Sequence, residues 1–106
     1  MRRDVFQAIA DPTRRDIIQL LTHQPLHLNA VADQFPMSRP AISKHIKILI
    51  ECGLVVVEQK GRERVCRAQP EKLSEVSVWV QQYEQFWNTK LDALERYLSE
   101  IQSKKS

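Results

Sequence analysis

Residues 38–52 read SRPAISKHIKILIEC, and the spacing of their apolar residues predicts a helix with two unlike faces. At 100° per residue, three apolar side chains fall close to one line and form the expected core face: Ile42, Ile46 and Leu49. The opposite side gathers small, polar and basic residues: Pro40, Ser43, Lys44 and Lys47. We therefore expect this helix to pack through one face and to present a basic, hydrogen-bonding face outward.

The ends of this helix carry clear signals. Ser38 is an N-cap candidate, and Arg39 and Pro40 follow in the first turn, where the missing N–H of proline costs nothing. Gly53 comes directly after the last apolar positions, as a glycine commonly does just past the end of a helix. The sequence thus predicts a helix from Ser38 to about Cys52.

Three shorter helices are predicted before this basic helix. The first covers residues 3–10, and the second begins after Asp11, which caps it, with Pro12 at its first position. The expected buried stripe of the second helix is aliphatic: Ile17, Ile18, Leu20 and Leu21. A third helix runs roughly over residues 29–35, and a tight turn at Pro36 leads into the basic helix.

A β-hairpin and a long helix are predicted after Gly53. β-branched residues begin one strand, the segment Lys60-Gly61-Arg62-Glu63 carries the turn signal, and residues 64–68 return as an alternating strand. From Ser74 to Gln102 apolar residues recur at steps of three and four. A helix of about 29 residues spans about 44 Å, which exceeds what a small domain needs. Part of it is therefore expected to pack on another chain.

Composition and charge place the chain among small globular proteins with a polyanion-binding segment. It has 106 residues, of which 42% are hydrophobic and 27% charged, so one domain over residues 1–106 is expected. Residues 38–67 hold seven basic and three acidic residues, whereas the segments on either side are neutral or slightly acidic. Since no segment resembles a leader or a membrane span, we expect a soluble cytoplasmic protein.

The sequence shows no pattern typical of an enzyme or of a bound cofactor. No nucleophile–base pair, phosphate loop or metal-ligand set has suitable spacing, so neither catalytic nor metal residues are predicted. His23 and His27 are four residues apart, but Pro25 between them argues against a shared helical metal site. Cys52 and Cys66 are interpreted as core residues rather than as redox-active thiols.

The order of elements is that of a winged helix-turn-helix, mainly α with a small β-hairpin wing and a long C-terminal dimerisation helix. Several motifs between residue 4 and about residue 68 carry a more specific resemblance: Asp11-Pro12-Thr13-Arg14-Arg15, the Ser38 to Leu49 segment, Gly53-Leu54-Val55 and Lys60-Gly61-Arg62. In this order and spacing, the chain resembles the ArsR family of transcriptional regulators.

The resemblance implies a homodimeric repressor that binds double-stranded DNA at a pseudo-palindromic operator. The DNA-binding core would cover about residues 11–68, and residues 3–10 and 74–102 would form the dimer. The residues expected to contact DNA are Ser38, Arg39, Pro40, Ser43, Lys44, His45, Lys47, Lys60, Arg62 and Arg64. The residues expected at the dimer interface are Val5, Phe6, Ile9, Trp79, Val80, Tyr83, Trp87, Leu91, Leu94 and Leu98. For His45, a packed and hydrogen-bonded imidazole is an equal alternative.

The metal sites known in ArsR-family sensors are not expected here. Those sites use a cysteine pair in the third helix, or Asp, His and Glu ligands in the last helix. Residues 28–35 contain no cysteine, and all three histidines precede residue 46. A protein-interaction co-regulator that pairs through the aromatic C-terminal helix remains the alternative function, and a ligand or redox sensor built on the same repressor is a third reading.

Overall fold

The computed structural model describes residues 3–104 and shows a winged helix-turn-helix. The elements follow the predicted order, with one short strand in addition: α1 Val5–Ile9, α2 Pro12–His23, β1 Leu26–His27, α3 Leu28–Asp33, α4 Arg39–Glu51, β2 Val55–Lys60, β3 Glu63–Ala68, a 3₁₀ turn Pro70–Leu73 and α5 Ser74–Lys104. No helix within residues 3–104 has the length and apolar character needed to cross a membrane.

The sheet has three antiparallel strands rather than the predicted two. Its order is β1-β3-β2, and β2 pairs with β3 along its whole length, from Val55 opposite Ala68 to Lys60 opposite Glu63. The added strand β1 pairs Leu26 with Cys66. A two-residue strand is too short to show an alternating pattern, so the sequence could not reveal it. It ties the start of α3 to the wing formed by β2 and β3.

One hydrophobic core joins helices α1 to α4 and the sheet. The predicted core face of α4 is confirmed, because Ile42, Ile46 and Leu49 are all buried. The aliphatic stripe of α2 is also buried, except that Leu20 is only partly covered. Cys52 and Cys66 are buried in the same core, as predicted.

Two arginines in the first turn of α2, Arg14 and Arg15, hold α1 against α2. Asp11 caps α2, and its carboxylate accepts a hydrogen bond from the backbone N–H of Arg14 at 3.0 Å. The guanidinium of Arg14 donates to the carbonyl oxygens of Gln7 and Ala8 at 2.9 Å each. Arg15 donates at 2.7 Å to a third carbonyl oxygen of α1. These bonds satisfy carbonyl groups that the end of a short helix leaves unpaired.

The bounds of α1 and α3 differ slightly from the prediction. Helix α1 begins at Val5 rather than at residue 3, because the Asp4 carboxylate caps it by accepting from the N–H of Gln7 at 3.0 Å. Helix α3 begins at Leu28 and ends at Asp33, earlier at both ends than the predicted 29–35.

A glycine turn sets the direction of the chain after α4. Gly53 has φ of 81°, a conformation that side chains disfavour, and its N–H donates to the carbonyl of Ile50 at 3.0 Å. The N–H of Leu54 donates to the carbonyl of Leu49 at 2.9 Å. This pair of bonds is a Schellman motif, and it confirms the predicted helix-ending role of Gly53. It directs the chain into the first wing strand.

The described chain divides into two compact units, one ending at Val76 and one beginning at Ser77. The first unit contains the core and the wing. The second consists of the remainder of α5, which continues to Lys104 rather than ending at Gln102. The apolar residues of this second unit are largely exposed within the single chain.

Candidate nucleic-acid interface

The outward face of α4 is polar and basic, as the helical spacing predicts. Lys44 and Lys47 are exposed, whereas Ser43 is partly covered at the edge of this face. Glu51, the acidic residue at the end of the helix, is bound by Arg3, whose Nε lies 2.6 Å from the carboxylate. The exposed face of α4 therefore carries positive charge along most of its length.

The wing ends in a tight, cationic turn. Gly61 and Arg62 form a two-residue loop, and Gly61 has φ of 64°, which suits a hairpin turn with glycine at its first central position. Gln59 donates to the carbonyl of Gly61 at 2.9 Å and so supports the loop. The cations Lys60, Arg62 and Arg64 are all exposed on this wing.

The basic residues that the structure describes in the first unit fall into two groups. Five of them are held by partners within the chain: Arg3 by Glu51, Arg14 and Arg15 by carbonyls of α1, Arg67 by Glu58 at 3.2 Å, and Lys72 by Glu75 at 3.9 Å. The other six are exposed and, among the described residues, have no carboxylate partner: Arg39, Lys44, Lys47, Lys60, Arg62 and Arg64. We call these six the cationic surface. They lie on α4 and the wing.

The three acidic residues of the segment 38–67 all contact basic or histidine side chains. Glu51 binds Arg3, Glu58 binds Arg67, and Glu63 lies 3.2 Å from the imidazole of His27. Glu51 and Glu58, which would weaken an anion site, are thus paired with arginines, whereas Glu63 is 65% exposed and contacts a histidine rather than an arginine or lysine. The net charge of residues 38–67, read from the sequence, understates how positive the cationic surface is.

The N-terminus of α4 offers fewer free groups than the sequence suggests. The Ser38 hydroxyl accepts from the N–H of Ala41 at 3.3 Å, and Pro40 has no N–H. Among the first three helical residues, only Arg39 therefore has a free backbone N–H, because that of Ala41 is bonded and Pro40 has none. The Ser38 hydroxyl, which accepts this bond, can still donate its own hydrogen to a phosphate.

His45 packs against α2 instead of joining the outward face. Its side chain is 19% exposed, and its Nδ1 lies 3.4 Å from Nη1 of Arg14 and 3.9 Å from a carboxylate oxygen of Asp11. The packed alternative therefore describes its position in the single chain, while contact of His45 with DNA stays a prediction. Helical spacing placed His45 at the border between faces, so the neighbouring α2 decides its environment.

The two cysteines are poorly placed for redox chemistry. Burial raises the pKa of the Cys66 thiol, and burial also raises the pKa of Cys52. The thiolate is the reactive form of cysteine, so a raised pKa keeps both side chains neutral and inert at neutral pH. Within residues 3–104, no group of three or more His, Cys, Asp or Glu side chains is arranged to hold a metal ion.

The residues expected at a dimer interface have different environments. Those on α5 are between 45% and 60% exposed: Trp79, Val80, Tyr83, Trp87, Leu91, Leu94 and Leu98. On α1, Phe6 is 38% exposed and Ile9 is partly buried. Val5, however, is 2% exposed and packs in the core of its own chain. Val5 therefore has almost no surface left for a second chain, and the interface expectation for it is corrected.

The helical spacing of α5 separates its exposed apolar residues into faces. Val80, Tyr83, Trp87, Leu91, Leu94 and Leu98 lie within roughly 80° of one another, and we call them the α5 stripe. Trp79 lies beside this stripe, where its ring contacts that of Tyr83 at 5.3 Å between centroids. Phe86 and Tyr97 fall to the same side as Trp79, and the Lys90 ammonium lies 4.8 Å from the centre of the Phe86 ring.

Comparison with known proteins supports the resemblance to helix-turn-helix transcriptional regulators. Residues 9–58 match the helix-turn-helix domain family. The HTH-type transcriptional regulator Rv2034 of Mycobacterium tuberculosis is 37% identical over 86 residues, covering 81% of this chain and 78% of that protein. The transcriptional repressor SdpR of Bacillus subtilis is 39% identical over 59 residues, covering 56% of this chain and 66% of that protein.

Solved structures extend the similarity from sequence to fold. A crystal structure of an ArsR family transcriptional regulator has a TM-score of 0.69 and 34% identity, covering 78% of this chain and 91% of that one. An ArsR-like regulator from Rhodococcus has a TM-score of 0.67 and 33% identity, covering 87% of each chain. The homodimeric winged helix-turn-helix domain of a Mycobacterium bovis protein has a TM-score of 0.61 and 25% identity, covering 76% and 75%. With this fold and these relatives, the chain belongs to the ArsR family of winged helix-turn-helix transcriptional regulators.

Proposed function

We propose that this protein is a sequence-specific repressor that binds double-stranded DNA as a homodimer at a pseudo-palindromic operator. The observation that carries the proposal is the cationic surface. Among the described residues of the first unit, the six cations of the cationic surface have no carboxylate partner, whereas the other basic side chains, Arg67 of the wing included, are held within the chain. Unpaired, exposed cations on one helix and one hairpin suit the regular phosphates of a duplex.

Base reading is assigned to the middle of α4. In the helix-turn-helix mode, the second helix of the motif enters the major groove. Lys44 is exposed there and can donate to the guanine acceptors O6 and N7, while Ser43 can donate or accept. Arg39 and Lys47 flank these two residues and would contact phosphates on either side.

The wing would contact DNA beside the major groove. Lys60, Arg62 and Arg64 project from a hairpin whose turn is fixed by Gly61. Contacts from such a tip to phosphates or to the minor groove position the protein without identifying individual bases. The wing cations are therefore assigned to affinity and the α4 side chains to specificity.

Dimerisation is assigned to α5 and α1. The α5 stripe presents large apolar side chains that a single chain leaves about half exposed, and such a surface is typical of an interface. Phe6 and Ile9 would join it, whereas Val5 would not. The Mycobacterium bovis relative described as homodimeric supports dimerisation, and the exposure of the α5 stripe supports its place on α5.

Two-fold symmetry would place two α4 helices in successive major grooves. Helix-turn-helix dimers commonly contact half-sites about 34 Å apart, one turn of the duplex. A dimer bound in this way would block the access of RNA polymerase and so repress transcription. The similarity to a transcriptional repressor of Bacillus subtilis supports repression rather than activation. The family's metal-sensing sites are not proposed for this chain, because α3 contains no cysteine and α5 contains no histidine.

Selection from a random duplex pool provides the test. We expect the full-length protein to enrich an inverted repeat whose half-sites are about one helical turn apart. Lys44→Ala should then lose on the order of 1 to 3 kcal/mol of binding free energy, chiefly through one base-pair position. Lys72→Ala, which removes an exposed cation that has a carboxylate partner, is the matched control and should bind like the wild type.

The selection experiment also separates this proposal from the co-regulator alternative. A module that pairs with a different protein through α5 would enrich no duplex sequence. Equal losses for Lys44→Ala on every duplex would contradict base reading while leaving general DNA binding in place.

A further inference from the structure

A cavity lies between α4 and the sheet, directly beside the cationic surface. Its volume is about 270 Å³. Its walls are mainly apolar and come from α3, α4 and two strands: Leu28, Ile46, Ile50, Val57 and Cys66. Ile50 is 40% exposed, which is unusual for a large aliphatic residue beside a core. The cavity therefore offers apolar surface that the chain itself leaves uncovered.

The volume sets the size of a fitting ligand. An engineered apolar cavity of about 150 Å³ binds benzene, a molecule of six non-hydrogen atoms. By the same ratio, the cavity beside α4 accommodates up to about eleven non-hydrogen atoms. A ligand of this size is a small organic molecule, too small to be a peptide or a nucleotide.

The remaining lining residues indicate the charge of the ligand. Ser43, Lys47 and Arg64 complete the lining, and no acidic residue contributes to it. Lys47 and Arg64 are exposed and have no carboxylate partner among the described residues. Two cations beside an apolar cavity favour a molecule with an apolar body and one anionic end, since a carboxylate can bind both while its tail leaves water.

We propose that this cavity binds a medium-chain monocarboxylate, with its carboxylate on Lys47 and Arg64 and its alkyl chain between Ile46 and Val57. Octanoate, with ten non-hydrogen atoms, matches both the volume and the charge. Its regulatory consequence rests on the proposed function, because Lys47 and Arg64 are also assigned to DNA phosphates. A bound carboxylate would occupy two cations of the cationic surface, cancel one unit of their positive charge, and release the protein from DNA.

Octanoate binding is tested first without DNA. Isothermal titration of the full-length protein should show one saturable octanoate per chain. Acetate has the charge without the tail, and octylamine has the tail with the opposite charge. Each should bind at least about tenfold more weakly than octanoate.

Two variants locate the site. Arg64→Ala should weaken octanoate binding about fivefold or more, and Val57→Phe should abolish it by filling the cavity, with circular dichroism confirming the fold. The matched control is Arg67→Ala, which changes the same residue type on the same strand outside the cavity and should bind octanoate normally. Octanoate binding that equals that of acetate or octylamine, or that survives both site variants, overturns the proposal.

Competition is tested second, on a duplex recovered by selection. Octanoate should lower duplex affinity at least about tenfold for the wild type and leave the Val57→Phe protein unaffected. Octanoate that binds the wild type without changing its duplex affinity overturns the regulatory part. A protein that binds octanoate but no duplex contradicts the proposed function while supporting the carboxylate site, so the two failures are distinguishable.

Discussion

Replacing Leu94 by glutamate should prevent the proposed dimer from forming without unfolding the single chain. Leu94 belongs to the α5 stripe and is 54% exposed in the single chain. Because its surface is largely open, the change leaves the core of the first unit intact. Glutamate is also a good helix former, so α5 itself should persist.

The magnitude follows from the surface that dimerisation would cover. Full burial of a leucine side chain contributes about 1.5 to 3 kcal/mol, so covering the exposed half contributes about 1 kcal/mol per chain. Two carboxylates would also be desolvated without partners, at a cost of about 2 kcal/mol or more each. The sum exceeds about 5 kcal/mol, which raises the dimer dissociation constant roughly 1,000-fold or more.

Val78→Glu is the matched control. Val78 is 59% exposed on the same helix, but it lies roughly 160° around the axis from Leu94. Sedimentation equilibrium over a range of concentrations should find the wild type and Val78→Glu dimeric and Leu94→Glu monomeric, with similar helix content by circular dichroism. A dimeric Leu94→Glu protein, or equal dissociation of both variants, would refute the placement of the interface on the α5 stripe.

Three further predictions concern the first unit. Arg14→Ala removes two hydrogen bonds to carbonyls at the end of α1 and should lower the free energy of unfolding by about 2 kcal/mol in urea titrations, whereas Arg39→Ala, whose side chain has no such bonds, should change it little. Gly61→Ala has open space for its Cβ but keeps a φ that alanine disfavours, so it should cost about 1 kcal/mol, measurable by faster amide exchange across the wing strands. Both cysteines should react with iodoacetamide at least about 100-fold more slowly in the folded than in the urea-unfolded protein, because burial covers them and raises their pKa. The folded state favours the neutral thiols, so the free energy of unfolding should fall as pH rises above about 8.5, where the thiols of the unfolded chain ionise. Rapid alkylation of the native protein, a stable Arg14→Ala variant or unchanged wing exchange would contradict the respective argument.

The helical elements were predictable because their signals are local. Caps such as Asp11 and Ser38 and the turn at Gly53 act through hydrogen bonds between neighbours in sequence, and the structure confirms all three. The apolar spacing of α4 likewise identified its buried face. Such features depend on the chain within a few residues, so one sequence is enough to reveal them.

The features that the sequence did not reveal depend on contacts between distant segments. Strand β1 exists because Leu26 pairs with Cys66, forty residues later. The environments of Val5 and His45 are set by the elements packed around them, which helical spacing alone does not specify. Arg14 has an ordinary surface charge in the sequence, and its role in holding α1 requires the position of that helix.

The same limit applies to the charge of the candidate site. The sequence locates an excess of positive charge in residues 38–67, but it does not tell which cations are paired. Arg67 lies in that segment and is bound by Glu58, whereas Arg64 on the same strand has no carboxylate partner among the described residues. The partition of basic residues into paired and unpaired groups therefore had to come from the structure.

The salt dependence of duplex binding tests the role of the cationic surface most directly. If the five cations assigned to phosphates or to the wing contact phosphates in both chains, the logarithm of affinity should fall with the logarithm of salt concentration with a slope of up to about −9. Arg62→Ala should make that slope shallower by roughly two, because each dimer loses two contacts, and Lys72→Ala should leave it unchanged. A slope near zero for the wild type, or one that Arg62→Ala does not alter, would show that this surface does not bind the duplex backbone.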